Sequence, residues 1–160
     1  MGRLDVLRGG ERLAKALVAE HLRELREQPQ VRLGGVLGNE HREDEAFPGL
    51  LLVRPEGRLF FANAERIGQR IRELAGDPPP KVVAIDMSAV FDLEYTALKM
   101  LTEAERRNRE HGIELWLVAL NPAVLAMVQR SSLGETLGRE RMLFNLETAV
   151  ERYRSRGKAS

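Results

Sequence analysis

The chain has 160 residues, 43% of them hydrophobic and 31% charged, the balance of a globular domain rather than of a disordered or fibrous chain. Its formal net charge of +1 gives no overall field toward nucleic acid or an anionic membrane. The absence of cysteine removes disulfide frameworks, thiol nucleophiles and cysteine metal sites together.

No apolar run approaches the roughly 20 residues that a spanning helix needs. The charged start, with Arg3, Asp5, Arg8, Glu11, Arg12 and Lys15, does not read as a secretory signal. A soluble, cytoplasmic chain is expected. Residues 1–46 read as a helical lead-in and linker. After Gly9-Gly10, the stretch Glu11–Glu27 carries Ala14, Val18, Leu22 and Leu25 at helical spacing, widened by Leu13 and Leu17 and stopped by Pro29. Val31–Leu37 is a weak strand broken by Gly34 and Gly35, and the acidic segment Glu40–Glu45 marks the boundary before a main domain over residues 47–155. Residues 156–160 form a tail.

Within that domain the signals alternate. Leu50–Arg54 and Arg58–Phe61 read as two strands joined by a Pro55-Glu56-Gly57 turn. Ile67, Ile71 and Leu74 give a helix that Gly76 and Pro78-Pro79-Pro80 end. Val82–Ile85 reads as a strand covered on both faces. Leu93, Ala97, Leu98, Leu101 and Ala104 stripe a second helix, closed by Gly112. Ile113–Leu120 is another buried strand, and Pro122 opens a helix with Val124, Leu125 and Val128. A short apolar step, Met142–Phe144, leads to a last helix with Leu146, Ala149, Val150 and Tyr153 on one face. The pattern predicts a small α/β domain: a mixed sheet of about four or five strands with about four helices. Phe61 and Trp116 are expected in the core and Phe60 on the other side of its strand. An exposed Phe60 or Phe91 would mark a protein contact patch. Phe144 is expected to pack.

Chemistry is mostly missing. No dinucleotide fingerprint, phosphate-binding loop or nucleophile elbow occurs, and Gly34-Gly35-Val36-Leu37-Gly38 reads as a turn. His21, His41 and His111 are scattered, and Glu103 and Glu105 among Arg106, Arg107 and Arg109 read as a solvated helix face. Arginine interleaves with acid along the chain, without a nucleic-acid stripe. No catalytic constellation, cofactor or metal is expected.

The informative stretch runs from Val82 to Leu98. A buried strand ends at Asp86, and a polar loop delivers hydroxyls to the start of an amphipathic helix. Asp92, Glu94, Tyr95 and Thr96 then sit where helix caps, anion contacts or a phosphate are accommodated, simple capping being the plainer reading.

Here the chain resembles the STAS domain family. Asp86-Met87-Ser88-Ala89-Val90 is similar to that family's Asp-Leu-Ser-x-Val, and Glu94-Tyr95-Thr96-Ala97-Leu98 to its Asp-Ser-Ser/Thr-Gly-Leu. Glu94 replaces the aspartate, Tyr95 the serine that antagonist members have phosphorylated, and Ala97 the glycine. Pro48–Arg54 with Leu59–Glu65, Asn121-Pro122 with Val128–Leu133, and Phe144-Asn145 to Val150 resemble the branch attached to SulP-type anion permeases. The resemblance covers about Phe47 to Arg154. It implies a non-catalytic regulatory and interaction domain, with the transporter membrane domain or another protein as partner and homo-oligomers allowed. The regulatory or partner loop would comprise Asp86, Ser88, Asp92, Glu94, Tyr95 and Thr96. Asn63 and Asn121 would lie at the same strand-end edge, where open α/β sheets place ligands. Two alternatives stand beside it: an anti-sigma-factor antagonist or stress switch phosphorylated at a loop hydroxyl, and a module binding a nucleotide or small anion.

Overall fold

Val82-Val83-Ala84-Ile85 is apolar without alternation because the strand it forms is covered on both faces: Val83 and Ile85 pack into one cluster, Val82 and Ala84 into another. In the computed structural model, residues 4–7 (backbone alone), 47–75 and 77–157 are described. In chain order these form β1 (Leu4–Leu7), β2 (Leu50–Pro55), β3 (Gly57–Leu59), α1 (Phe61–Ala75), β4 (Val82–Asp86), β5 (Val90–Leu93), α2 (Tyr95–Glu110), β6 (Glu114–Val118), α3 (Pro122–Gln129), α4 (Ser132–Leu137), β7 (Met142–Leu143) and α5 (Leu146–Gly157). The expected helix over Glu11–Glu27, the strand Val31–Leu37, the acidic boundary Glu40–Glu45 and the tail beyond Gly157 lie outside the described residues.

The main sheet has the order β1-β2-β4-β6-β7. β2, β4, β6 and β7 run parallel, and β1 adds an antiparallel edge with Leu4 opposite Pro55 and Leu7 opposite Leu52. The mixed sheet is as predicted, but a lead-in helical from its first residues is corrected at Leu4–Leu7, where β2 offers an unpaired edge to an apolar segment. The two strands expected on either side of Pro55-Glu56-Gly57 do not pair with each other. Pro55 has no N–H to continue a ladder, and Gly57, at φ +90, turns the chain toward the Ala89 carbonyl (2.9 Å). β3 therefore pairs with β5 in a separate two-stranded parallel sheet. Leu93, expected on a helix, is the last residue of β5. The short helix α4 was not foreseen. Ser131 caps it, accepting from Gly134 N–H at 3.4 Å, and Leu133 and Leu137 bury its inner side.

Helices α1 to α4 bring Ile67, Ala97, Leu98, Val124, Val128, Leu133 and Leu137 onto the face bearing Leu51, Val53, Val83, Ile85, Leu115 and Leu117. The second face carries Leu50, Leu52, Trp116, Val118 and Leu143, and α5 lays Leu146, Ala149 and Val150 on it. Trp116 is fully buried, as predicted, edge-on to Tyr153 with centroids 6.5 Å apart. Burial pushes the Tyr153 phenol up, so at neutral pH it remains a donor, and its hydroxyl gives a 2.5 Å bond to the Pro48 carbonyl. Gly49 follows at φ +83, and a Cβ there would stand 2.6 Å from that hydroxyl. Glu105 is not part of a solvated face. It is 3% exposed and pairs with Arg141 at 3.1 Å, tying α2 to the segment before β7.

Candidate functional site

The loop that leaves β4 is built by backbone hydrogen bonds rather than by glycine. Asp86, 6% exposed, accepts from the Ser88 N–H at 2.9 Å, and Met87 N–H donates to the Val118 carbonyl at 2.8 Å. Val90 N–H returns to the Met87 carbonyl at 2.9 Å, which leaves Ser88 exposed at the tip. β5 then runs beside β3, and Glu94 takes extended geometry as N-cap of α2 with no side-chain cap bond. Its carboxylate turns instead to Arg58 at 3.1 Å, and Arg58 also holds Asp92 at 2.8 Å. These three side chains are each more than a third exposed, so the bridge is worth about 0–1 kcal/mol and acts mainly to orient. The plain capping role expected of Asp92 and Glu94 gives way to this bridge.

Asn63 and Asn121 are tied into the scaffold of the same edge. Asn63, 5% exposed, accepts from Phe60 N–H at 2.8 Å and donates to the Arg58 carbonyl at 2.6 Å, fixing the turn from β3 into α1. Asn121 caps α3, accepting from Val124 N–H at 3.0 Å, and donates to the Val90 carbonyl at 2.9 Å. It thereby pins β5 to the turn after β6.

Three aromatic rings stand out on this frame. Phe61, Phe91 and Tyr95 are 57%, 62% and 65% exposed. The register Leu59 opposite Leu93 sets the starts of α1 and α2 side by side. Phe61 was expected in the core. The buried positions of α1 are Asn63 and Ile67, and the first residue of the helix lies off that stripe. Phe144 was also expected to pack but is 89% exposed, just past the end of β7, the edge strand beside β6. The Lys99 ammonium lies 5.1 Å from the Tyr95 ring centre, and Thr96 is exposed next to it. The edge thus offers Ser88, Phe91, Tyr95 and Thr96 to solvent, while Asp86, Asn63 and Asn121 hold its shape. A cavity of about 510 Å³ lies elsewhere, between α1 and α2 over Val83, Ile85 and Leu115.

A family profile described as STAS domain matches residues 41–151. The chain belongs to the STAS domain family. A sulfate transporter of Arabidopsis thaliana, sulfate transporter 3.2, is 29% identical over 143 residues, a match covering 77% of this chain and 22% of the transporter. The STAS domain thus spans about a fifth of the length of the curated relatives it matches. Among solved structures, the SulP transporter STAS domain of Vibrio cholerae is 16% identical with a TM-score of 0.62, over 94% of this chain and all of that one. An anti-sigma factor antagonist of Mycobacterium paratuberculosis is 25% identical with a TM-score of 0.55, over 66% of this chain and 90% of that one. This STAS domain therefore shares its mixed α/β fold with both branches and resembles those of SulP transporters.

Two features of this STAS domain escape its sequence. Arg58 joins Asp92 and Glu94 although it precedes them by more than thirty positions, and only the β3–β5 pairing brings them together. The exposure of Phe61 was hidden by its apolar neighbours. The signal that could have found it is Asn63, whose two hydrogen bonds to the turn fix which residues start the helix.

Proposed function

We propose that this STAS domain is a non-catalytic, cytoplasmic regulatory module whose edge bearing Phe91, Tyr95 and Phe61 docks on the membrane unit of a SulP-type anion transporter. The observation that carries the reading is the exposure of these rings on a hydrogen-bonded frame. Large apolar side chains grouped in solvent on a soluble fold mark contact surfaces, and rigid aromatic anchors dominate such contacts. No helix among the described residues is long and apolar enough to cross a membrane, and the transporters it resembles are about five times longer.

The test is a photo-crosslinking amino acid at Phe91 or at Glu151, an exposed position on α5, in cells of the source organism. Phe91 adducts with a transporter membrane domain, and none from Glu151, are the expected result. Equal yields from both positions, or none at Phe91, overturn it.

Exposed Ser88 and Thr96 favour a second reading, a phosphorylation switch. A phosphate on Thr96 would add about −1.5 to −2 charge near the start of α2, where the helix dipole favours it, and beside the carboxylates that Arg58 holds. Intact-mass and peptide mapping across growth phases would detect it at Thr96 or Ser88, and unmodified peptides throughout remove it. The nucleotide or small-anion reading is weaker, since the amides of Asn63 and Asn121 are already engaged with backbone.

A further inference from the structure

Gly68 lies inside α1 at a place where the chain itself does not need a missing side chain. A Cβ there would meet nothing nearer than the Arg72 guanidinium, 3.5 Å away, whereas a Cβ at Gly134 would run into backbone. Glycine inside a helix is destabilising relative to alanine, and nothing in the packing of the described residues offsets that. Gly68 does line the cavity of about 510 Å³ between α1 and α2, and the space it leaves belongs to that cavity. The floor is apolar, with Val83, Ile85 and Leu115 from the sheet and half-buried Ile71 and Leu101 from the helix walls. The volume falls within the roughly 300–1,000 Å³ of small-molecule sites.

Charge is distributed unevenly around this cavity. α1 and α2 start side by side and run the same way, so their last turns reach the same end, where Arg72, Arg107 and His111 line the space. The lining carboxylate, Glu65, stands toward the start of α1. Helix C-termini favour cations, which accounts for arginines at these ends but not for their being left single. Arg70 takes Glu73 at 2.8 Å, and Arg106 takes both Glu103 and Glu110. The guanidinium groups of Arg72 and Arg107 hold no ion pair or hydrogen bond among the described residues. His111 engages Nδ1 with the Arg107 carbonyl at 2.8 Å, and its Nε2 has no partner among the described residues. We propose that this cavity binds a single-chain amphiphile with an anionic head, of the class of a medium-chain fatty carboxylate. Its chain lies along Gly68 and the apolar floor, and its carboxylate sits between Arg72 and Arg107. The lengths suit one extended chain: Ala64 to Arg72 rises about 12 Å along α1, and Leu101 to His111 about 15 Å along α2. Guanidinium groups give a carboxylate charge-assisted bonds, and the floor takes the tail out of water.

The test is an NMR titration of the isotope-labelled full chain with decanoate below its micelle concentration. Saturable shifts confined to α1, α2 and the floor strands are expected, with one decanoate per chain. Decyltrimethylammonium, which has the same chain and the opposite charge, should bind about tenfold more weakly or worse. Acetate, the head alone, should leave the cavity residues unshifted. Arg72→Gln combined with Arg107→Gln should weaken decanoate by about tenfold or more. Gly68→Leu should hold or raise the denaturation midpoint, leucine being the better helix former, and should abolish binding by filling the space. If Gly68→Leu lowers the midpoint instead, the arginine pair, exposed at the surface, decides alone. Unchanged affinity in the arginine pair or in a stably folded Gly68→Leu, or equal binding of the cationic amphiphile, overturns the proposal. Shifts centred on Phe91 and Tyr95 also overturn it, since they report adsorption to the exposed aromatic rings. Shifts in the cavity from phosphatidylglycerol vesicles, with none from decanoate, overturn the assignment to a free chain.

Discussion

Asn121 does two jobs with one side chain, and each is measurable. As N-cap of α3 it satisfies the Val124 N–H, and through Nδ2 it holds the Val90 carbonyl of β5. Losing a cap costs about 1 kcal/mol, and leaving a half-buried carbonyl without its donor costs about another. Asn121→Ala is therefore expected to lower unfolding free energy by about 2 kcal/mol in urea titrations. Asn121→Asp retains the cap and loses the donor, and should recover about half. At this scale the sequence was partly legible. Asn121-Pro122 announced a helix start, because a capping side chain and a proline at the first position act locally. The bond from Asn121 to Val90 spans 31 residues, and nothing in local spacing encodes it.

The pairs of elements that touch were harder to foresee than the elements themselves. β4, β6 and α2 were legible because their apolar periodicity follows directly from which side of each element is buried. β5 was not, since Val90-Phe91-Asp92-Leu93 has one exposed aromatic and one ion-paired carboxylate, and its pairing with β3 starts where Gly57 N–H reaches the Ala89 carbonyl. α4 was missed for a similar reason. Its six residues are too short for a period, and its placement rests on contact with α3. Gly134 carries that contact: a Cβ there would overlap the Val128 carbonyl oxygen and stand 2.7 Å from Gln129 Cα. Both are backbone atoms that cannot swing aside. Gly134→Ala is expected to cost about 1–3 kcal/mol and to weaken exchange protection of α3 and α4 first, as hydrogen exchange by NMR would register. Loss of protection in β2 before these helices would contradict that placement.

At the scale of the molecule, one carboxylate joins the start of the central sheet to the last helix. Burial pushes the Glu114 carboxyl up, but hydrogen bonds from the Trp116 indole and Arg156, with the charges of Arg156 and Arg141, outweigh it and hold the group below its usual value. A carboxyl lowered in the folded state stabilises above its unfolded pKa of about 4.3 and loses that contribution as pH falls through the folded value. Glu114→Gln should therefore lower the midpoint of unfolding at pH 7, with the gap to wild type closing below about pH 4. A gap that widens on acidification would reverse the sign. Arg156 also stacks on Trp116, 5.1 Å from the ring centre, so the charge and the ring are held as one unit.

The bond from Tyr153 to Pro48 spans 105 positions, and this has a consequence for how the domain is made. A chain emerging from the ribosome exposes β2, β4 and β6 well before α5 exists to cover Trp116. Contacts this distant in sequence form late, so the nascent sheet keeps one greasy side uncovered until α5 is out. Shortening the chain before Tyr153 would leave that side bare for good, which makes stalled or truncated products natural clients for chaperones and proteases.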